Sequence, residues 1–97
     1  MEDTDPAKSP ALSQALQMVY VHNNPGGALR VLRAARPPES LFPLLLYIRA
    51  RAALLANDRK LAAWNVYLLK ILYPDSPWTK RVRGWYIHFG AWRWVIF

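Results

Sequence analysis

The stretch Leu41–Ser76, LFPLLLYIRARAALLANDRKLAAWNVYLLKILYPDS, carries the reading of the fold. It divides into two apolar helical runs. Asn57-Asp58 interrupts the first run and supplies a cap for the second, and Pro74-Asp75-Ser76-Pro77 stops the second, because proline lacks the N–H that a helix interior requires. Two helices joined by so short a turn form an antiparallel hairpin. Small residues, Ala50 in the first helix and Ala62 early in the second, stand where the two backbones must approach closely.

Upstream, ALSQALQMVYVH from Ala11 places Leu12, Ala15, Leu16, Val19 and Tyr20 on one helical face and ends near His22. Asn23-Asn24-Pro25-Gly26-Gly27 is a dense turn signal, and the glycine pair is expected to provide the backbone angles of that turn. A second helix follows over Ala28–Arg36 and stops at Pro37-Pro38. Downstream, Ser76 is an N-cap and WTKRVRGWYIHF reads as a further helix ending at Gly90. The expected helices lie near 11–22, 28–36, 41–56, 59–73 and 77–89. Residues 1–10, with Pro6 and Pro10 and no apolar period, read as a flexible leader, 11–90 as the helical domain, and 91–97 as an aromatic tail. AWRWVIF is compatible with a short helix or an extended segment, and its length does not separate them.

A shift of 34 positions lays Asn24 on Asp58, Ala28 on Ala62 and Leu16 on Ala50, and carries Ala50 onto Gly84. Ala50, Asn57-Asp58, Ala62 and Pro74 in this order and spacing resemble the tetratricopeptide repeat, a 34-residue helix–turn–helix, over about residues 11–90. The resemblance implies an all-α array of antiparallel helical hairpins, five to six helices in all, each unit packing on its neighbours. It further implies a groove lined by the first helix of each unit. In that setting Arg49 and Arg51 would hold an acidic segment or a C-terminal carboxylate of a partner; otherwise they are solvated positions on a packed helix.

The whole chain has 97 residues, room for one domain, with thirteen Lys/Arg against six Asp/Glu and a net charge of +7. Glu2, Asp3 and Asp5 sit at the start, whereas only Asp75 is acidic from Arg59 onward, so the C-terminal half is a basic body suited to anionic lipid, phosphate or an acidic protein face. Without cysteine there is no disulfide framework and no thiolate metal site. His22 and His88 have no second histidine or carboxylate at metal spacing, and no paired carboxylates or nucleophile–base pattern appear. Pro25-Gly26-Gly27 lacks the Lys and Ser/Thr of a phosphate-binding loop. The expectation is a protein that is not an enzyme and takes no cofactor or metal. No uncharged run approaches the ~20 residues of a spanning helix, and the acidic, polar start is unlike a presequence. The expected location is the cytoplasm, with peripheral contact with an anionic membrane on the cytosolic side as an extension.

Lys80, Arg81 and Arg83 interleave with Trp78, Trp85 and Tyr86, a mixture that suits stacking on nucleic acid, a lipid interface or a protein interface. Trp85, Tyr86, Phe89, Trp92, Trp94 and Phe97 represent roughly 1,000 Å² of apolar surface, more than a monomer exposes. The tail is therefore expected either to fold back along the groove of its own array or to dock on another chain or a bilayer. Docking is the preferred reading, because so short an array offers no long groove. A chain truncated after Phe89 is expected to keep its helices while losing its assembly. The function expected is a non-catalytic interaction or scaffold subunit of a larger protein complex, at the cytosolic face of a membrane complex in its most specific form; the alternative is a basic, RNA-associated subunit. Partner contact is expected at Trp85, Trp92, Trp94, Phe97, Arg49, Arg51, Lys80, Arg81 and Arg83.

Overall fold

A computed structural model describes residues 5–88 and 94–96 of the chain. The fold is all-α. Helices α1 (Pro10–Tyr20), α2 (Pro25–Ala34), α3 (Phe42–Leu55), α4 (Arg59–Leu72) and α5 (Pro77–Val82) follow one another, each in contact with the next, in a helical-repeat-like arrangement. Single 3-10 turns, Pro6–Lys8 and Glu39–Leu41, precede α1 and α3. After α5 the short strands β1 (Tyr86–His88) and β2 (Trp94–Ile96) pair antiparallel, with Tyr86 opposite Ile96 and His88 opposite Trp94. The tail segment that pattern alone left open is thus extended over Trp94–Ile96.

The starts of α1, α2, α4 and α5 share one chemistry, whereas α3, preceded by Leu41, has no side-chain cap. Ser9 Oγ accepts from the Leu12 amide, Asn24 Oδ1 from Gly27, Asp58 Oδ1 from Leu61 and Ser76 Oγ from Trp78. Each satisfies an amide that a helix start leaves without an intrahelical partner. Prolines 10, 25, 43 and 77 stand in first turns, where a missing N–H costs nothing. This moves two boundaries from where they were expected. Pro10 opens α1 rather than belonging to a leader, of which residues 1–4 lie outside the described part, and α2 begins at Pro25 rather than Ala28. Gly26 and Gly27 are consequently helical. The left-handed residue of that turn is Asn23 (φ 48°), and its counterpart 34 residues on is Asn57 (φ 63°). Asparagine tolerates this region because its side chain can bond locally.

Helix α3 is the centre of the core. Leu44, Leu46, Tyr47, Ile48, Ala50, Ala52 and Ala53 are all buried, as expected of a helix apolar on nearly every side, interrupted only by Arg49 and Arg51, when α1, α2, α4 and α5 surround it. Ala28 and Ala62 are likewise fully buried, so the 34-residue correspondence holds in packing as well as in caps.

The fifth helix, expected over 77–89, ends at Val82. Gly84 at φ +82° turns the chain away, and β1 begins two residues later. Gly84 therefore does not occupy the mid-helix position that the shift from Ala50 assigns to it. Six residues make a marginal helix alone. Here Thr79 Oγ1 donates to the carbonyls of Tyr73 (2.5 Å) and Leu69 (3.2 Å), tying α5 to the end of α4, while Val82 is fully buried. Ile87 in β1 is also fully buried and belongs to the same core.

Candidate partner-binding surfaces

Tyr47 and Arg51 are one turn apart on α3, Trp78 and Arg81 one turn apart on α5, and Trp85 follows the turn at Gly84. Packing α3 on α5 makes one run of side chains from these. The Tyr47 ring lies 5.1 Å from Trp78 and 6.2 Å from Trp85 between centroids; Arg81 covers Trp78 at 4.8 Å and Arg51 covers Trp85 at 5.7 Å. Each such cation–ring contact contributes about 0.5–1 kcal/mol where exposed. At the end of α1, Tyr20 shares a hydrogen bond with Tyr47, hydroxyl to hydroxyl at 3.3 Å. Desolvation and the neighbouring Tyr47 push the Tyr20 hydroxyl up to about 12 from 10.0, against the opposing pull of Arg51 and Arg81. Although 55 % of Tyr20 is exposed, its hydroxyl end is the part turned toward Tyr47.

This run engages Trp85 within the chain itself. The Trp85 and Trp78 rings are half-buried, with Arg and Tyr47 against them, so neither is an open platform for a base. Lys80, Arg81 and Arg83 are exposed around it. Trp94 lies in β2, whereas Trp92, Phe97 and the expected helix end at Phe89 fall outside the described residues.

Arg49 and Arg51 do not share a groove. Two residues at about 100° each put their side chains on opposite sides of α3. Arg51 meets Trp85, whereas Arg49 enters a cleft of about 350 Å³ lined by Leu29, Arg33, Asp58 and Leu61, between α2, α3 and the start of α4. Burial lowers the pKa of the half-buried Arg49 guanidinium.

A further surface lies on α4. Trp64, Tyr67 and Ile71 form a stripe at helical spacing, 57 %, 50 % and 59 % exposed, with Leu72 exposed beside it. The Trp64 and Tyr67 rings stack at 5.8 Å with 21° between planes. Lys60 and Lys70 on the same helix are exposed. Half-exposed residues of this size amount to roughly 400 Å² of apolar surface, in the range of the largest patch on an ordinary monomer and often functional. The opposite face of α4, Ala62, Val66 and Leu69, is in the core. The signal was present in the sequence as aromatics at i and i+3, but α4 has apolar residues beyond one face, and the pattern alone does not say which of them are covered.

Among the described residues no group of three His, Asp or Glu could hold a metal ion, and no helix is long and apolar enough to cross a membrane. No protein-family model, curated protein or solved structure matches the chain.

Proposed function

We propose that this chain is a non-catalytic interaction subunit, a tetratricopeptide-like hairpin array that packs into a larger protein assembly through the outer face of α4. The observation that carries this reading is the Trp64–Tyr67–Ile71 stripe, large aromatics held in a stacked geometry on the surface of a helix whose other face is fully used. Aromatic side chains are the common anchors of protein interfaces because they bury much area at little conformational cost. The tetratricopeptide-like reading is supported by the 34-residue recurrence of Asn23 with Asn57, Asn24 with Asp58 and Ala28 with Ala62. The complementary partner surface is apolar at its centre with acidic residues at its rim, opposite Lys60 and Lys70 on a chain of charge +7. Against the RNA-associated alternative stands the use of Trp78 and Trp85 by Tyr47, Arg81 and Arg51.

The test is a Trp64→Asp, Tyr67→Asp double variant expressed in the native source beside the unaltered chain. Both positions are exposed, so helicity by circular dichroism is expected to persist. On gel filtration of the extract the unaltered chain is expected in a high-mass fraction stable to salt, and the variant at its own 11.2 kDa. An unaltered chain that runs free, or a variant that stays in the assembly, refutes the reading. An association that collapses as salt rises would point to nucleic acid instead.

A further inference from the structure

The cleft between α2, α3 and α4 is separate from the α4 stripe and calls for its own explanation. Arg49 projects into it from α3 and Arg33 from α2, with Leu29 and Leu61 as apolar walls. Among the described residues Arg49 takes no hydrogen bond and no ion pair, although it is half-buried. A guanidinium in that position has lost part of its hydration without a counter-charge in return, and the depressed pKa of Arg49 has burial as its cause. The nearest acid in the cleft is Asp58, whose Oδ1 accepts the Leu61 amide as the cap of α4. One oxygen of that carboxylate serves the helix start, and among the described residues the carboxylate makes no ion pair with Arg49.

The cleft therefore combines two guanidiniums, one capped carboxylate, apolar walls and the positive end of a fourteen-residue helix. Its volume of about 350 Å³ lies at the small end of ligand sites, which run to roughly 300–1,000 Å³. Guanidinium groups present planar pairs of N–H donors that match the two oxygens of a carboxylate or phosphate, and the leucine walls strengthen such contacts by excluding water. We propose that the Arg33–Arg49 cleft is a binding site for a small oxyanion, phosphate or carboxylate, with Arg49 as the principal ligand and Arg33 closing over it. This holds whether or not α4 docks a partner, because the two sites share no residue.

The experiment follows the arginine Nε–Hε and backbone amide resonances of the full 97-residue chain by NMR. Three probes are titrated at constant ionic strength against chloride: inorganic phosphate, succinate, and phosphatidic acid in phosphatidylcholine vesicles. Saturable shifts confined to Arg33, Arg49 and the Leu61 amide are expected with at least one probe. Phosphate or succinate alone identifies a soluble ligand, and vesicles alone a lipid headgroup. Arg49→Gln is expected to weaken binding at least about ten-fold, as loss of hydrogen bonds to a charged group does. Arg33→Gln, at an exposed position that does not endanger folding, is expected to weaken it several-fold, and Arg30→Gln on the same helix to leave it unchanged. Shifts reproduced by chloride, shifts scattered over all arginines, or affinity retained in Arg33→Gln overturns the proposal, as does retention in a folded Arg49→Gln.

Discussion

Replacing Ile87 by alanine asks whether the end of the chain belongs to its own core. Ile87 is fully buried in β1, in the same core as Val82 and Leu69, and β1 packs on α4. Ile→Ala removes three carbons, roughly 2.4 kcal/mol of transfer free energy at about 0.8 kcal/mol each, before any cavity is counted. The surrounding side chains relax only in part, so a total near 3 kcal/mol within the usual ~2–5 kcal/mol is expected. For a domain of this size about 4–8 °C accompanies each kcal/mol, which places the loss in Tm at roughly 12–24 °C. Thermal unfolding followed by circular dichroism at the helix band, with a urea series for the free energy, measures it. A melting curve within about 2 °C of the unaltered chain would refute the reasoning, because it would mean that α1 to α4 unfold without reference to the end of the chain. A large loss gives the Trp94–Ile96 strand, which pairs with the strand carrying Ile87, an intramolecular role.

The paired substitutions Gly26→Ala and Gly27→Ala separate helix propensity from capping. A Cβ on Gly26 meets nothing within 4 Å, whereas one on Gly27 comes within 2.4 Å of Asn24 Nδ2, so urea denaturation is expected to show the first neutral or slightly stabilising and the second weaker by about 1 kcal/mol through the displaced cap. A pH series tests the tyrosine pair: folded Tyr20 keeps its proton to about 12 while the unfolded chain releases it near 10.0, so this contribution to stability is full below pH 10 and is lost as pH rises through 12. Denaturation across that window with Tyr20→Phe as reference, together with a tyrosinate absorbance that appears late for one residue, is the check; parallel curves would rule the linkage out.

The hairpin of α3 and α4 was legible because its signals are local. Asp58 caps where a cap residue precedes an apolar run, and Pro74 follows the last turn of α4. The same holds for Ser76 and for the 34-residue match of Asn24 with Asp58. The end of α5 was not legible, since WTKRVRGWYIHF has apolar residues that fit a helix period as well as a strand. Its outcome rests on one backbone angle, Gly84 at +82°, and on strand pairing between segments eight residues apart. The truncation after Phe89, expected from sequence to spare the fold, removes the partner strand of β1.

Two site residues illustrate why chemistry is harder to read than architecture. Arg49 and Arg51 look equivalent in RARA, and both interrupt an apolar helix. What separates them is the identity of the elements on either side of α3: α5 and the turn into β1 bring Trp85 to Arg51, whereas α2 and the start of α4 leave Arg49 a cleft with a second arginine. The same reasoning explains the α4 stripe. Helices α3 and α4 are equally long, but α3 is the more apolar and is enclosed by four helices, while the principal neighbours of α4 are α3, α5 and β1. An apolar residue on the open side of α4 is therefore exposed because of where its helix falls in the stack. Burying Trp64, Tyr67 and Ile71 requires a surface that these neighbours do not supply, and the partner proposed for α4 would supply it.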